Sequence, residues 1–212
     1  MLHTTDHVIK NLTTTQQLIH DQRPLIIRTQ NGITANAINL VHLLMEQTSQ
    51  SDDKYAAFAL PFCMGRCVDA TMSSCVEMDG ILQTSKLVVH TLLETLHRYM
   101  IKYRTEDNVA RWWTEATGSI TVKRFVEYGV KGPATVDDSF VSIVVETGRA
   151  HQEQVGRRWL WGPKPKQCQY TVHFGKKVEV WSGGFIKATR YREVSSPGRI
   201  VCRVQIDPPT WF

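Results

Sequence analysis

The segment Thr84–Trp113, TSKLVVHTLLETLHRYMIKYRTEDNVARWW, carries the clearest helical pattern in this 212-residue sequence and ends on paired tryptophans. Ser85 stands where a side-chain hydroxyl can cap the first helical turn. Apolar residues then recur at steps of three and four, the spacing of one buried face: Val89, Leu92, Leu96, Tyr99 and Tyr103. The pattern predicts the central helix of a helical front half, with residues 85–104 as its regular part.

A stripe of mixed side chains borders this apolar face: Lys86, His90, Leu93 and His97. Leu93 is a branched apolar residue between polar neighbours. It is either the rim of the core or a contact point for another protein, since covering an exposed apolar side chain gains free energy. The second interpretation predicts that Leu93→Ala weakens partner binding and leaves folding nearly intact.

Three further segments complete the first 115 residues. Residues 5–22 and 34–60 have helical spacing, although the polar run TSQSDD could break the second helix, and residues 25–33 are typical of a short extended stretch. Residues 61–83 form a connecting loop with Cys63, Cys67 and Cys75. These cysteines are either a zinc site that needs a distant fourth ligand or small buried apolar residues. The sequence thus predicts an antiparallel three-helix layer over residues 1–115.

From residue 116 onward the helical period disappears. Six or seven short strands are predicted between about residues 119 and 206, separated by Gly, Pro, Asp or Ser. Alternation along Val178–Trp181 and Val201–Ile206 predicts a packed sheet face and an opposite face that carries Arg, Glu and Gln to water. Residues 207–212 contain two prolines and look like the start of a linker. The predicted fold class is α+β, with the helical layer followed by a mainly antiparallel β-sheet domain over residues 116–206.

Composition narrows the class of protein. No apolar run reaches membrane-spanning length and the polar start lacks a signal-peptide core, so we expect an intracellular protein without membrane contact. The five cysteines agree with a reducing compartment. Residues up to Glu106 include 9 basic and 10 acidic side chains, whereas the remainder has 16 and 10, so the net charge of +5 resides in the back half. Such a half either binds nucleic acid or an acidic protein, or has a solvated basic face.

The back half also interleaves aromatic and basic residues, which are the ingredients of single-strand nucleic-acid binding. The candidate contacts are Trp161, Lys176, Lys177 and Arg158. The alternative is that the aromatic residues fill a core while the cations cover the outside.

Motifs of catalysis are absent from the sequence. It contains no Gly-rich phosphate loop, no nucleophile elbow and no HExxH, and the eight histidines show no metal-ligand spacing. We therefore expect no catalytic residues, no metal, no cofactor and no enzyme. A zinc-dependent enzyme built on the loop cysteines is the remaining enzymatic alternative.

Three groups of residues, taken in order, resemble the amino-terminal transactivation domain of the papillomavirus regulatory protein. The first is Met64-Gly65, followed by Ser85-Lys86 opening a helix that ends near Trp113-Thr114, with Ser119 and Val122 beyond it. The second is Gly156 followed by Trp159, Tyr170 and Phe174. The third is KKVEVWSGG at residues 176–184, similar to Lys-x-Trp-Glu-Val-x-x-Gly-Gly with Val178 in place of tryptophan.

This resemblance implies a non-enzymatic adaptor of viral transcription and DNA replication in the host cell nucleus. Its implied partners are the viral replicative helicase, a host bromodomain protein and a second copy of the chain, with DNA bound only through a domain absent from this sequence. Leu93 falls where the family has an exposed isoleucine used in partner contact. Asp52 and Lys54 match a partner-binding arginine and glutamate with reversed charge, so those roles do not carry over by identity. The implied docking surface lies on residues 34–60 and 85–104, with Leu93, His90, His97, Lys86, Asp52 and Lys54 as its candidates.

Overall fold

The structure is a computed structural model that describes residues 25–28, 39, 56–63, 66–67, 76–99, 106–125, 128–148, 151–162, 169–184 and 186–210. In these ranges it contains three helices and eleven strands. The helices are α1 (Val76–Tyr99), α2 (Glu106–Glu115) and α3 (Lys176–Trp181). The strands are β1 (Leu25–Arg28), β2 (Ala56–Cys63), β3 (Arg66–Cys67), β4 (Thr117–Arg124), β5 (Thr135–Val136), β6 (Val141–Glu146), β7 (His151–Val155), β8 (Arg158–Trp161), β9 (Gln169–Phe174), β10 (Arg190–Glu193) and β11 (Ile200–Asp207).

The strands form two antiparallel sheets. The larger sheet has seven strands in the order β1-β9-β6-β11-β4-β2-β3, and the smaller has four in the order β5-β10-β7-β8. Side chains of the two sheets meet: the Lys123 ammonium on β4 lies 3.0 Å from Glu193 on β10, and the Arg203 guanidinium on β11 lies 4.1 Å from the Tyr191 ring centre on β10. The sheets therefore pack face to face.

The large sheet has two buried faces of opposite character. One face packs against α1 and α2 through an apolar core that joins Met78, Ile81 and Trp112 of the helices to Ile143 and Val204 of the strands. The other faces the small sheet, and its buried side chains are largely polar: Ser142, Glu146, Thr171, His173 and Arg203. Burial on both faces explains why all six residues of β6 are buried. The expectation that the second face carries Arg203 to water is wrong, because the small sheet covers it.

The predicted three-helix layer is also wrong. β1, β2 and β3 all come from the first 115 residues, yet they belong to the large sheet. Asn39 is helical, but β2 replaces the end of the predicted helix 34–60 and pairs with β4 over eight positions from Ala56↔Arg124 to Cys63↔Thr117. That long ladder overrides the local helical spacing. The predicted helix over residues 5–22 lies outside the described residues, and the extended stretch after Pro24 is confirmed by β1.

The central helix starts earlier than its sequence suggested. α1 begins at Val76, so residues 76–83 are not loop, and the Ser85 hydroxyl donates to the Ile81 carbonyl at 2.8 Å inside the helix instead of capping it. Most strands predicted after residue 116 are confirmed. The exception is Lys176–Trp181, which is helix α3. Of the described helices, none combines the length and the apolar character needed to cross a bilayer.

Candidate metal centre

The two residues that begin this site alternate along β7. His151 and Glu153 are separated by one residue and therefore point to the same side of the strand, toward the large sheet. Gln152 points to the opposite side, where its side-chain amide oxygen Oε1 accepts hydrogen bonds from Arg192 Nε at 2.9 Å and Nη2 at 2.7 Å. The pattern His-x-Glu on a strand thus delivers one imidazole and one carboxylate to the space between the sheets.

The large sheet supplies the third side chain. His173 lies on β9, beside β6, and its Nε2 is 3.3 Å from Glu153 Oε1. His151 Nε2 approaches the same oxygen at 2.7 Å. One ligating atom from each of the three residues lies within 4.8 Å of the other two, and all three residues are buried. Two imidazoles and a carboxylate, contributed by both sheets, therefore converge on one point.

A second carboxylate orients His151. Glu146, the last residue of β6, places Oε2 3.0 Å from His151 Nδ1. Histidines that ligate metals usually donate their other ring N–H to such a group, which fixes the tautomer and the ring plane. Once Nε2 has lost its own proton, that arrangement leaves the lone pair of His151 Nε2 directed toward Glu153 and His173.

Burial and charge set opposite protonation states for the two histidines. Burial alone would lower the pKa of His151, but its hydrogen bonds and proximity to Glu146 and Glu153 outweigh burial and raise the pKa to about 9. Burial lowers the pKa of His173 to about 4, because the charges of His151 and Arg203 add to desolvation and the contact with Glu153 does not compensate. Burial would raise the pKa of Glu153, but its two histidine partners lower it to about 2. At neutral pH the metal-free site thus contains a cationic His151, a neutral His173 and an ionised Glu153.

These residues fit a divalent transition metal. Metal–ligand bonds of about 2.1 Å at tetrahedral or octahedral angles place two ligand atoms roughly 3.0–3.4 Å apart. Glu153 Oε1 lies 2.7 Å from His151 Nε2 and 3.3 Å from His173 Nε2, which is close to that range. His173 Nε2 is buried and has no aligned hydrogen-bond partner among the described residues, as expected for an atom that binds a metal. One contact must change. Arg203 Nη1 lies 3.4 Å from His173 Nδ1 and can only donate, so metal binding at Nε2 requires the ring proton to move to Nδ1 and this long contact to open.

Gly162 leaves room for the His151 ring. Its backbone N–H donates to the His151 carbonyl at 3.0 Å, so the segment after β8 lies against β7. A Cβ at Gly162 would overlap Nε2 and Cε1 of the imidazole. A residue without a side chain is therefore required beside the ligating nitrogen.

A pocket lies beside the site. Glu153 lines a pocket of about 290 Å³ that lies between residues 153–156, at the end of β7, and residues 187–190, just before β10. Lys187 and Arg190 are exposed at this pocket, and the Lys187 ammonium is paired with Glu179 at 3.0 Å. The pocket therefore lies next to the residue that both histidines contact.

The predicted docking residues do not gather at this site. Leu93 is only 6% exposed and belongs to the apolar core between α1 and the large sheet, so it is a core residue. Lys86 and His90 lie exposed on α1. Asp52, Lys54 and the side chain of His97 lie outside the described residues, so their partner role remains an untested prediction.

The predicted nucleic-acid residues are also dispersed. Trp161 and Arg158 are exposed on β8, whereas the side chains of Lys176 and Lys177 on α3 form ion pairs with Asp138 at 2.8 Å and Asp207 at 2.7 Å. Of the four predicted contact residues, the two lysines thus lie on α3 and not on β8, and both are paired with carboxylates. They do not form one stacking groove, and the nucleic-acid interpretation is not supported.

The sequence-based expectations passed over two histidines that the structure places together. The expectation of no metal-ligand spacing is wrong, because His151-Gln152-Glu153 on a strand places two ligands on one face. The signal was present, yet β7 itself was not predicted and His173 comes from a strand of the other sheet. The expectation of a chain without a reaction centre is therefore wrong as well. The side chains of Cys63, Cys67 and Cys75 lie outside the described residues, and Cys202 is a buried free thiol whose pKa is raised by burial to about 12.

Comparison with known proteins gives information on the fold. No protein-family model matches the sequence, and no curated protein matches it. Among solved structures, the dioxygenase for auxin oxidation (DAO) in rice is similar with a TM-score of 0.70 at 12% identity, covering 96% of this chain and 79% of that chain. The C-terminally truncated apo form of Neurospora crassa T7H is similar with a TM-score of 0.67 at 12% identity, covering 96% of this chain and 90% of that chain. JOX2 in complex with 2OG, Fe and JA is similar with a TM-score of 0.62 at 12% identity, covering 99% of this chain and 74% of that chain.

These similarities overturn the viral identification. They span nearly the whole chain with a two-sheet jelly-roll architecture, and the papillomavirus resemblance is wrong. The helicase, the bromodomain protein, the second copy and the DNA-binding domain rested on that resemblance and fall with it. The host nucleus rested on it too and is untested. By its fold, and at this identity by its fold alone, the chain is similar to oxygenases.

Proposed function

We propose that the chain is a metal-dependent oxygenase that oxidises a small organic molecule, with the metal held by His151, Glu153 and His173. The observation that carries the proposal is the convergence of two imidazoles and one carboxylate inside a fold similar to that of the rice dioxygenase and of the Fe-containing JOX2 complex. Two histidines and one carboxylate on one side of a metal, with open positions on the other, are typical of non-haem Fe(II) oxygenases. Such an ion, when bound, supplies the activation of dioxygen.

The protein residues have separable tasks in this proposal. Glu146 accepts a hydrogen bond from His151 Nδ1 and holds the imidazole so that Nε2 faces the metal position. In the metal-free protein His151 is protonated between two carboxylates, and its Nε2 proton faces Glu153. An incoming metal displaces this Nε2 proton. The pocket at Glu153 admits a small molecule while the two sheets exclude bulk water from the other sides.

Metal titration tests this proposal without knowledge of the substrate. Purified metal-free protein is titrated anaerobically with Fe(II), and with Co(II) for its absorption spectrum. We expect one tightly bound ion per chain, and nitric oxide should bind the Fe(II) form as a stand-in for dioxygen. His151→Gln, Glu153→Gln and His173→Gln should each abolish stoichiometric binding.

The matched control is Asp138→Asn. Asp138 is exposed and pairs with Lys176 on the surface, so this variant should bind metal like the wild type. Glu146→Gln should fold and bind metal about 10- to 100-fold more weakly, the range measured for outer partners of metal-ligating histidines. Equal metal affinity in the wild type and in all three ligand variants would refute the site.

A further inference from the structure

A buried cation lies next to the proposed metal site. Arg203 on β11 is 5% exposed, and among the residues whose burial the structure describes it is the only Lys or Arg in the buried class. Its guanidinium lies 3.4 Å from His173 Nδ1 and 4.1 Å from the Tyr191 ring centre. A small anion entering the space between the sheets would meet this side chain beside the metal position.

Arg203 is already neutralised. Arg203 Nη1 donates to Asp137 Oδ2 at 2.9 Å, and Asp137 is 2% exposed. The Asp137 carboxylate is itself fixed, because Oδ2 also accepts from the Ser142 hydroxyl at 2.6 Å and Oδ1 accepts from the Gln205 amide at 2.5 Å. Two further donors thus hold this carboxylate against Arg203, so displacement of the carboxylate would leave several buried polar groups unpaired.

The second cation between the sheets is paired as well. The Lys123 ammonium on β4 lies 3.0 and 3.3 Å from the two carboxylate oxygens of Glu193 on β10. A dianion such as 2-oxoglutarate enters a dry interior only if its charge is compensated. Within the described interior neither cation is available for it. 2-Oxoglutarate, which is bound in several of the similar structures, therefore does not fit this site.

We propose that Asp137 is a resident carboxylate that occupies Arg203, and that this chain oxidises its substrate without 2-oxoglutarate. The inference rests on the proposed oxygenase function. All four electrons that reduce dioxygen then come from the substrate. Either both oxygen atoms enter the substrate, or the substrate loses four electrons and four protons and dioxygen leaves as two molecules of water. Asp137 is thus the residue that sets co-substrate specificity.

Calorimetric titration with 2-oxoglutarate tests the inference on the metal-free and the anaerobic Fe(II)-loaded full chain. We expect no saturable binding by the wild type at millimolar 2-oxoglutarate. Asp137→Asn frees the Arg203 charge and should gain saturable binding that the double variant Asp137→Asn/Arg203→Gln loses. Asp138→Asn, the exposed neighbour, is the matched control and should bind none.

Loss of the buried ion pair could prevent Asp137→Asn from folding, so Glu193→Gln provides a second variant. It frees Lys123, whose side chain is 36% exposed, and should also gain weak binding of 2-oxoglutarate. Saturable binding by the wild type would overturn the inference, whether or not Arg203→Gln removes it. Folded Asp137→Asn without any gain would also overturn it. Loss of the metal site is read separately, from the metal titration, so the two proposals fail independently.

Discussion

Leu93 on α1 is a core residue of the protein. On a helical wheel it lies between polar residues, which suggested a contact point for a partner. In the structure it is buried against the large sheet, because the sheet covers a wider sector of α1 than the apolar stripe alone predicts. The cost of its truncation should therefore appear as lost stability.

We predict that Leu93→Ala lowers the free energy of unfolding by about 2–5 kcal/mol, the usual cost of truncating a buried leucine. Lys86→Ala, on an exposed position of the same helix, should change it by less than about 0.5 kcal/mol. Chemical denaturation of both variants measures the difference. Equal stabilities of the two variants would contradict the burial of Leu93.

Gly162 makes a second prediction at the scale of one residue. Gly162→Ala places a methyl group against the ring of His151, which two glutamates hold in position, so the ligating nitrogen must move. We expect metal affinity to fall on the order of tenfold, comparable to the loss of an outer partner.

Gly132→Ala is the matched control for this change. The nearest atom to a methyl group there is the Glu193 carbonyl oxygen at 3.5 Å, an ordinary contact. Co(II) titration of both variants compares the affinities. An unchanged affinity in Gly162→Ala would show that the His151 ring does not need its present position.

At the scale of an element, Lys176–Trp181 shows why local alternation is ambiguous. The sequence KKVEVW alternates apolar and polar residues and was predicted as a strand, yet it forms α3. Val178 is fully buried whereas Val180 is 80% exposed, so the two valines point in different directions. In a strand they would share one face. Six residues are too few for a period of two to be distinguished from a period of 3.6.

These two valines give a test of the element. Val178→Ala should lower the free energy of unfolding by about 2 kcal/mol, since it removes two buried methyl groups. Val180→Ala should change it by less than about 0.5 kcal/mol. Urea denaturation of the pair distinguishes the helix from the predicted strand, in which both substitutions would have similar effects.

At the scale of the whole molecule, the two sheets enclose charged groups that titrate together. The pKa of His151 is raised to about 9 from its ordinary 6.5, so its proton stabilises the folded, metal-free protein fully below pH 6.5. That contribution is lost as the pH rises toward 9. His173, with its pKa lowered to about 4, is neutral in the folded protein and mostly neutral in the unfolded protein above pH 7, so it does not mask the effect.

We therefore predict that the free energy of unfolding of metal-free protein falls between pH 7 and pH 9. In His151→Gln this decline should be absent or much reduced. Saturating metal should also suppress it in the wild type, because the metal replaces the proton. Thermal or urea denaturation across this pH range measures the slope, and a wild-type slope equal to that of His151→Gln would contradict the assignment of the proton.

The sequence alone determined the local features with a strong period: the apolar face of α1, the extended segments that became β4, β6, β9, β10 and β11, and the basic back half. Those features depend on neighbours within a few residues. Only the tertiary structure decided that β2 joins the sheet, that Arg203 is buried, and that His173 meets His151 and Glu153. The reason is that these contacts join segments distant in the chain, and two facing sheets can bury polar side chains that an isolated strand would leave in water.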